Sequence, residues 1–163
     1  MPKTFDDLLA ANADYADRFD LAGFDGIARA GVAMVTCMDS RIDPLGMIGL
    51  RPGDAKVLRN PGGRVTDQAM LALVLGVHLL GVDRVLVVPH TRCAMVGSET
   101  TLRDRVRAAS GTPDVPMFGA IGEQRATLRD DVERVRAHGL VPETVAVGGF
   151  LYDVDTGRLS QVV

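Results

Sequence analysis

In the stretch "VTCMDSRID" (35–43), a thiol, a carboxylate and a guanidinium follow one another at alternate positions, Cys37, Asp39 and Arg41. In an extended backbone, residues of one parity leave from the same side, so these three side chains would share one small space. The chain's other cysteine lies in "PHTRCAM", where His90 and Cys93 form an H-x-x-C pair. An imidazole and a thiolate at that separation on a tight loop can reach one metal ion, and Cys37 would supply a third ligand. Two thiolates and one imidazole suit tetrahedral zinc. A set of three protein ligands leaves the fourth position open, the mark of a catalytic rather than a structural zinc. Taken singly, each feature has a plainer meaning. An Asp-x-Arg is commonly a surface ion pair, and a cysteine at a strand end is commonly a small buried hydrophobe. The metal reading draws its strength from His90 and both cysteines falling at strand ends on one rim. His78, inside an apolar run, is expected to be a satisfied core histidine, and His138 to complement a helix dipole; neither is expected to be a ligand.

The elements that must position these residues follow from periodicity. Residues 4–19 place Phe5, Leu8, Leu9, Tyr15 and Phe19 near helical spacing, with Thr4 as N-cap and Asp6 and Asp7 in the first turn. "GVAMVTCM" (31–38) reads as a buried strand, and Asp43 with Pro44 predicts a brief helix after it. "AKVLRN" (55–60) reads as a second strand that "PGG" ends. The segment Thr66 to Leu80 is apolar nearly all round, a helix buried in the protein or against a partner, with Gly81 as its stop. A third strand (83–90), a polar helix (99–109), a longer amphipathic helix (121–138) and a fourth strand (143–154) follow. The turn "DTG" (155–157) and "RLSQVV" then predict a terminal hairpin with an antiparallel edge strand. Such alternation argues for a three-layer α/β domain with a mostly parallel sheet. In such sheets ligands collect beyond the carboxyl ends of the strands, where Cys37 and His90 fall.

The 163 residues suffice for one domain, 1–163, with a real core. A net charge of −3 without a run of Lys or Arg gives no footprint for nucleic acid or an anionic membrane, so a small ligand is favoured as partner. The first residues are acidic where a signal peptide needs a basic end. The longest apolar stretch, Ala69 to Val82, is too short to span a bilayer. A cytoplasmic location is therefore expected. In that reducing setting two cysteines serve metal binding or catalysis rather than a disulfide.

Cys37-x-Asp39-x-Arg41, Arg59-Asn60-x-Gly62 and His90-x-x-Cys93, in that order, resemble the motifs of the β-class carbonic anhydrases. The resemblance covers nearly the whole chain and is closest to the short bacterial members. It implies a sheet of order 2-1-3-4 with an antiparallel fifth strand, and one zinc per chain held by Cys37, His90 and Cys93. It also implies reversible hydration of CO₂ to bicarbonate and a proton by zinc-bound hydroxide. Zinc lowers the pKa of its bound water to about 7 from ~15.7. Two thiolates temper that effect, which puts activity toward alkaline pH. In this picture Asp39 accepts a hydrogen bond from the hydroxide and aims it, while Arg41 holds Asp39 away from the metal; a released Asp39 becomes the fourth ligand of a closed site. The resemblance further implies a homodimer or homotetramer, with helices 4–19 and 66–80 expected between subunits.

Three positions depart from the family pattern: Arg92 where a small or acidic residue is frequent, Ala94 where glycine is common, and Ala28 where the plant-like branch has glutamine. Other functions remain open at this level. One is hydrolysis of carbonyl sulfide or carbon disulfide. Another is a non-catalytic zinc module with Asp39 as permanent ligand, which would not need Arg41. A dithiol redox protein is disfavoured by the absence of C-x-x-C.

Overall fold

Strand β1 (Val32–Cys37) is an aliphatic run without polar alternation, and it is buried at every position. Such a strand needs cover on both faces and so belongs at the centre of a parallel sheet. The structure is a computed structural model that describes residues 4–163. It places β1 between β2 (Ala55–Asn60) and β3 (Arg84–Val88), with β4 (Ala146–Tyr152) next and β5 (Leu159–Gln161) at the edge. The first four strands are parallel and β5 is antiparallel to β4. The order β2-β1-β3-β4-β5 is the expected one.

Helix α2 (Asp67–Leu79) starts at Thr66, whose hydroxyl accepts from the Ala69 amide at 3.2 Å. Its residues Ala69, Met70 and Leu73 pack with Leu128, Val132 and Val135 of α4 (Gln124–Arg136) over Ala33, Val35, Val85 and Val87 of the sheet. That is the main core. On the opposite face, Met34 and Val88 pack with Ile42, Met47 and Ile48 from the segment after β1. Helix α3 (Glu99–Ser110) is peripheral and buries no residue. Among the described residues, no helix is long and apolar enough to cross a membrane.

Three local expectations need correction. The first helix, α1 (Asp6–Ala16), is shorter than 4–19, and Thr4 does not cap it: Phe5 holds the N-cap position without a side-chain bond. Asp6 and Asp7 serve the first turn through charge instead. After Asp43, which accepts from the Gly46 amide at 3.0 Å, only a 3₁₀ turn at Gly46–Ile48 forms. Glycines at 46 and 49 weaken propagation too much for a helix. His78 is satisfied, its Nε2 lying 2.7 Å from the Leu140 carbonyl, but it is exposed rather than in the core. Helix α2 is buried on one face within the chain, and Leu71, Leu75 and Leu79, spaced by four on another face, are exposed.

Candidate metal centre

Because β1 and β3 are hydrogen-bonded neighbours, Thr36 pairs with Val88 and the two strand ends share one rim. The Thr36 hydroxyl donates to the Val88 carbonyl at 2.7 Å, which satisfies a fully buried polar group there. Cys37 ends β1 and His90 stands just past β3, so the fold brings Cys37, His90 and Cys93 together. Their ligand atoms lie within 4.8 Å of one another and all three residues are buried. The two Sγ atoms are 3.9 Å apart, and both cysteines are free. The His90 ring engages the Thr91 carbonyl through Nδ1 at 2.8 Å, which leaves Nε2 as a lone pair facing inward. That Nε2 is buried without any partner. A buried orphan acceptor beside two thiols fits a metal ion, with the other ring nitrogen fixing the tautomer.

The electrostatics agree with this fit. Burial lowers the His90 pKa, which favours the neutral, ligating imidazole. Burial likewise pushes the Cys93 thiol up to about 11, with Cys37 adding to the effect. A thiol buried in this way resists ionisation unless a cation joins it, and zinc reverses that preference.

Asp39 and Arg41 stand at the open side. Asp39 Oδ1 accepts from Arg41 Nε at 2.8 Å and from the Arg41 amide at 3.0 Å, while Oδ2 accepts from Nη2 at 2.7 Å. These Arg41 bonds hold the Asp39 carboxyl well below the usual carboxylate range. Oδ2 is also 3.7 Å from His90 Nε2, so the carboxylate borders the space that the three ligand atoms enclose.

The carbonic anhydrase family model matches residues 32–115. Beta-carbonic anhydrase 1 of Mycobacterium tuberculosis is 30% identical over 162 residues, covering 96% of each chain. The chain belongs to the β-carbonic anhydrase family. The crystal structure of a carbonic anhydrase from Streptococcus mutans superposes with a TM-score of 0.88 at 32% identity, over 100% of both chains. A carbon disulfide hydrolase of Acidithiobacillus thiooxidans is 32% identical over 145 residues, which is 76% of this chain and 72% of that one.

The three departures from the β-carbonic anhydrase pattern now have structural meanings. Ala94 is exposed and has no positive φ, so glycine is not required there. Ala28 lies in the main core, its amide donating to the Leu80 carbonyl at 2.8 Å. Arg92 is different: at φ 53° it is the one non-glycine residue with positive φ among those described.

Several supporting residues carried no assigned role at the level of sequence. Arg59 donates through Nε to the Cys37 carbonyl at 3.0 Å and through Nη2 to the Asp39 carbonyl at 2.6 Å, bracing the backbone between them. The Asn60 side chain closes the next loop on itself, donating to the Arg64 carbonyl and accepting from the Arg64 amide. That loop lies so close to β1 that a Cβ on Gly63 (φ 67°) would be 3.0 Å from the Cys37 nitrogen. Gln124 donates to the His90 carbonyl at 2.8 Å. The Arg59-Asn60-x-Gly62 motif marked this loop through the family resemblance, but nothing in the sequence singled out Gln124.

Proposed function

We propose that this chain catalyses the zinc-dependent reversible hydration of CO₂ to bicarbonate and a proton, with Cys37, His90 and Cys93 as metal ligands and Asp39 and Arg41 as the catalytic pair. The carrying observation is the unpartnered, buried Nε2 of His90 facing two thiols, with the Asp39 carboxylate 3.7 Å away. Zinc bound there supplies Lewis acidity that makes hydroxide available near neutral pH.

Every other part belongs to the chain. Met34, Ile42, Val88 and Tyr152 pack around both cysteines and give the site an apolar floor suited to a neutral substrate. Asp39 remains ionised at neutral pH and offers Oδ2 as the acceptor that holds and aims the nucleophile's proton. Arg41, bonded to both carboxylate oxygens, keeps Asp39 from becoming a fourth ligand itself. Purified zinc-loaded protein is expected to accelerate CO₂ hydration, and chelation to abolish it. The similarity to a carbon disulfide hydrolase supports a second reading, hydrolysis of a related cumulated substrate. Turnover of carbon disulfide without hydration of CO₂ would decide for it.

A homodimer or larger assembly in the cytoplasm completes the proposal. Helix α1 buries none of its residues, and Phe5, Leu8, Leu9, Tyr15 and Phe19 are all exposed within one chain, as are Leu71, Leu75 and Leu79 of α2. So much apolar helix surface calls for a partner, and a second copy of the chain supplies the matching face. Sedimentation is expected to give a dimer or tetramer, and Leu8→Asp with Leu9→Asp to give a smaller species. A stable, active wild-type monomer at micromolar concentration contradicts this assembly.

A further inference from the structure

Arg92 holds a left-handed backbone conformation that a long side chain seldom adopts, and glycine or asparagine would fit it with less strain. Two contacts mark this position, of which the first alone requires an arginine. Its guanidinium pairs with the Asp155 carboxylate on the β4–β5 turn, and its carbonyl faces Arg41 Nη2 at 3.4 Å. The turn is fastened beside the ligand loop. The Thr91 amide donates to the Tyr152 carbonyl at 2.9 Å, the Val154 amide donates to the Thr91 hydroxyl at 3.1 Å, and the Asp155 amide donates to Asp153 Oδ1 at 2.9 Å. Asp155 therefore stays beside the loop whose Arg92 carbonyl faces Arg41, whether or not the Arg92 side chain holds it. The Arg41 charge is favoured first by its hydrogen bonds with Asp39, and the field of Asp155 reaches it as well.

Two carboxylates, Asp39 and Asp155, thus face two guanidiniums, Arg41 and Arg92, in a balanced set. We infer that Arg92 is a positioning residue: by occupying Asp155 it stops that carboxylate from drawing Arg41 off Asp39. The inference rests on Asp39 and Arg41 acting as the catalytic pair. Without the Arg92 side chain, two carboxylates compete for one guanidinium, and Asp39 spends part of its time released toward the metal position.

Arg92→Gly removes the side chain while easing the backbone, so folding is not threatened. It is expected to lower kcat/KM about two- to fivefold, the scale of competition at an exposed ion pair, with zinc content unchanged. Asp155→Asn alone is expected to show no such loss, and the double variant to recover. A second readout is independent of turnover. In cobalt(II)-substituted protein, added azide is expected to change the visible spectrum less for Arg92→Gly than for wild type, because Asp39 occupies the open position more often. The double variant should regain the full azide response. A plain brace predicts the opposite pattern, with Arg92→Gly and Asp155→Asn equally impaired and the double variant no better; that result overturns the inference. Arg92→Asn, also tolerant of positive φ, repeats the comparison if the glycine variant loses zinc. If Arg41→Ala loses activity while Arg92→Gly matches wild type, only this inference fails. If Arg41→Ala loses nothing, the catalytic pair itself is wrong.

Discussion

Cys37→Ser and Cys93→Ser are each expected to strip the chain of most of its zinc and, with it, of hydration activity. The described residues offer one cluster of soft donors, and its three ligand atoms lie within 4.8 Å of one another. Removing one thiolate leaves two protein ligands and a hydroxyl that does not ionise near neutral pH. Loss of groups that merely orient ligands already weakens metal binding about 10–100-fold, and loss of a ligand exceeds that scale. Metal content after dialysis against a chelator measures the effect directly. Retention of a full zinc equivalent by both single variants would remove the ligand assignment and everything built on it.

Arg41→Ala is expected to separate metal binding from catalysis. The ligand atoms are untouched, so zinc stays, but Asp39 loses both side-chain bonds and the amide bond alone remains. Its Oδ2 starts 3.7 Å from the His90 ligand nitrogen and is then free to take the fourth position. Hydration should fall ~10²-fold or more, the scale of a lost orienting or proton-transfer group. Asp39→Ala should behave differently, keeping an open position without the acceptor, and so retain partial activity with a shifted pH profile. Wild-type activity of Arg41→Ala at every pH sinks the switch and leaves the pair as a loop brace.

The same pair sets the sign of an acid effect. Asp39 lies below its ordinary value of 3.8 in the folded chain, chiefly through Arg41. The stability contributed by the pair is therefore present at pH values above the ordinary one and is lost progressively as the pH falls from there through the lower folded value, which acid titration of unfolding measures.

Much of the site could be read without coordinates, because it depends on local rules. Donor chemistry alone selects zinc for two thiolates and an imidazole, but strand parity does not place Asp39 and Arg41: the strand ends at Cys37, and Arg41 lies in a turn where its amide donates to the Asp39 carboxylate. Aliphatic runs without alternation gave β1 and β3 their buried character, and the apolar run from Thr66 marked α2, whose capping hydroxyl the structure supplies. Periodicity could not decide what lies opposite each face. Helix α2 is apolar almost all round, yet its sheet takes Ala69, Met70 and Leu73 and leaves His78 and Leu71 outside; only packing chose between faces of equal hydrophobicity. Helix α1 is amphipathic in sequence, yet none of its residues is buried among the described residues of its own chain.

Tertiary structure also decided everything that joins residues far apart in sequence. Arg59 reaches back 22 positions to the Cys37 carbonyl, and Arg92 reaches 63 positions forward to Asp155. Side chains of this length have many rotamers, and no local propensity selects one; the strand order does, by placing the turn after β4 beside the loop after β3. Arg92 itself reads in sequence only as a departure from the family pattern. Its left-handed backbone and its ion pair with Asp155 appear only in the folded chain, where the short loop from His90 to Cys93 meets the hairpin after β4.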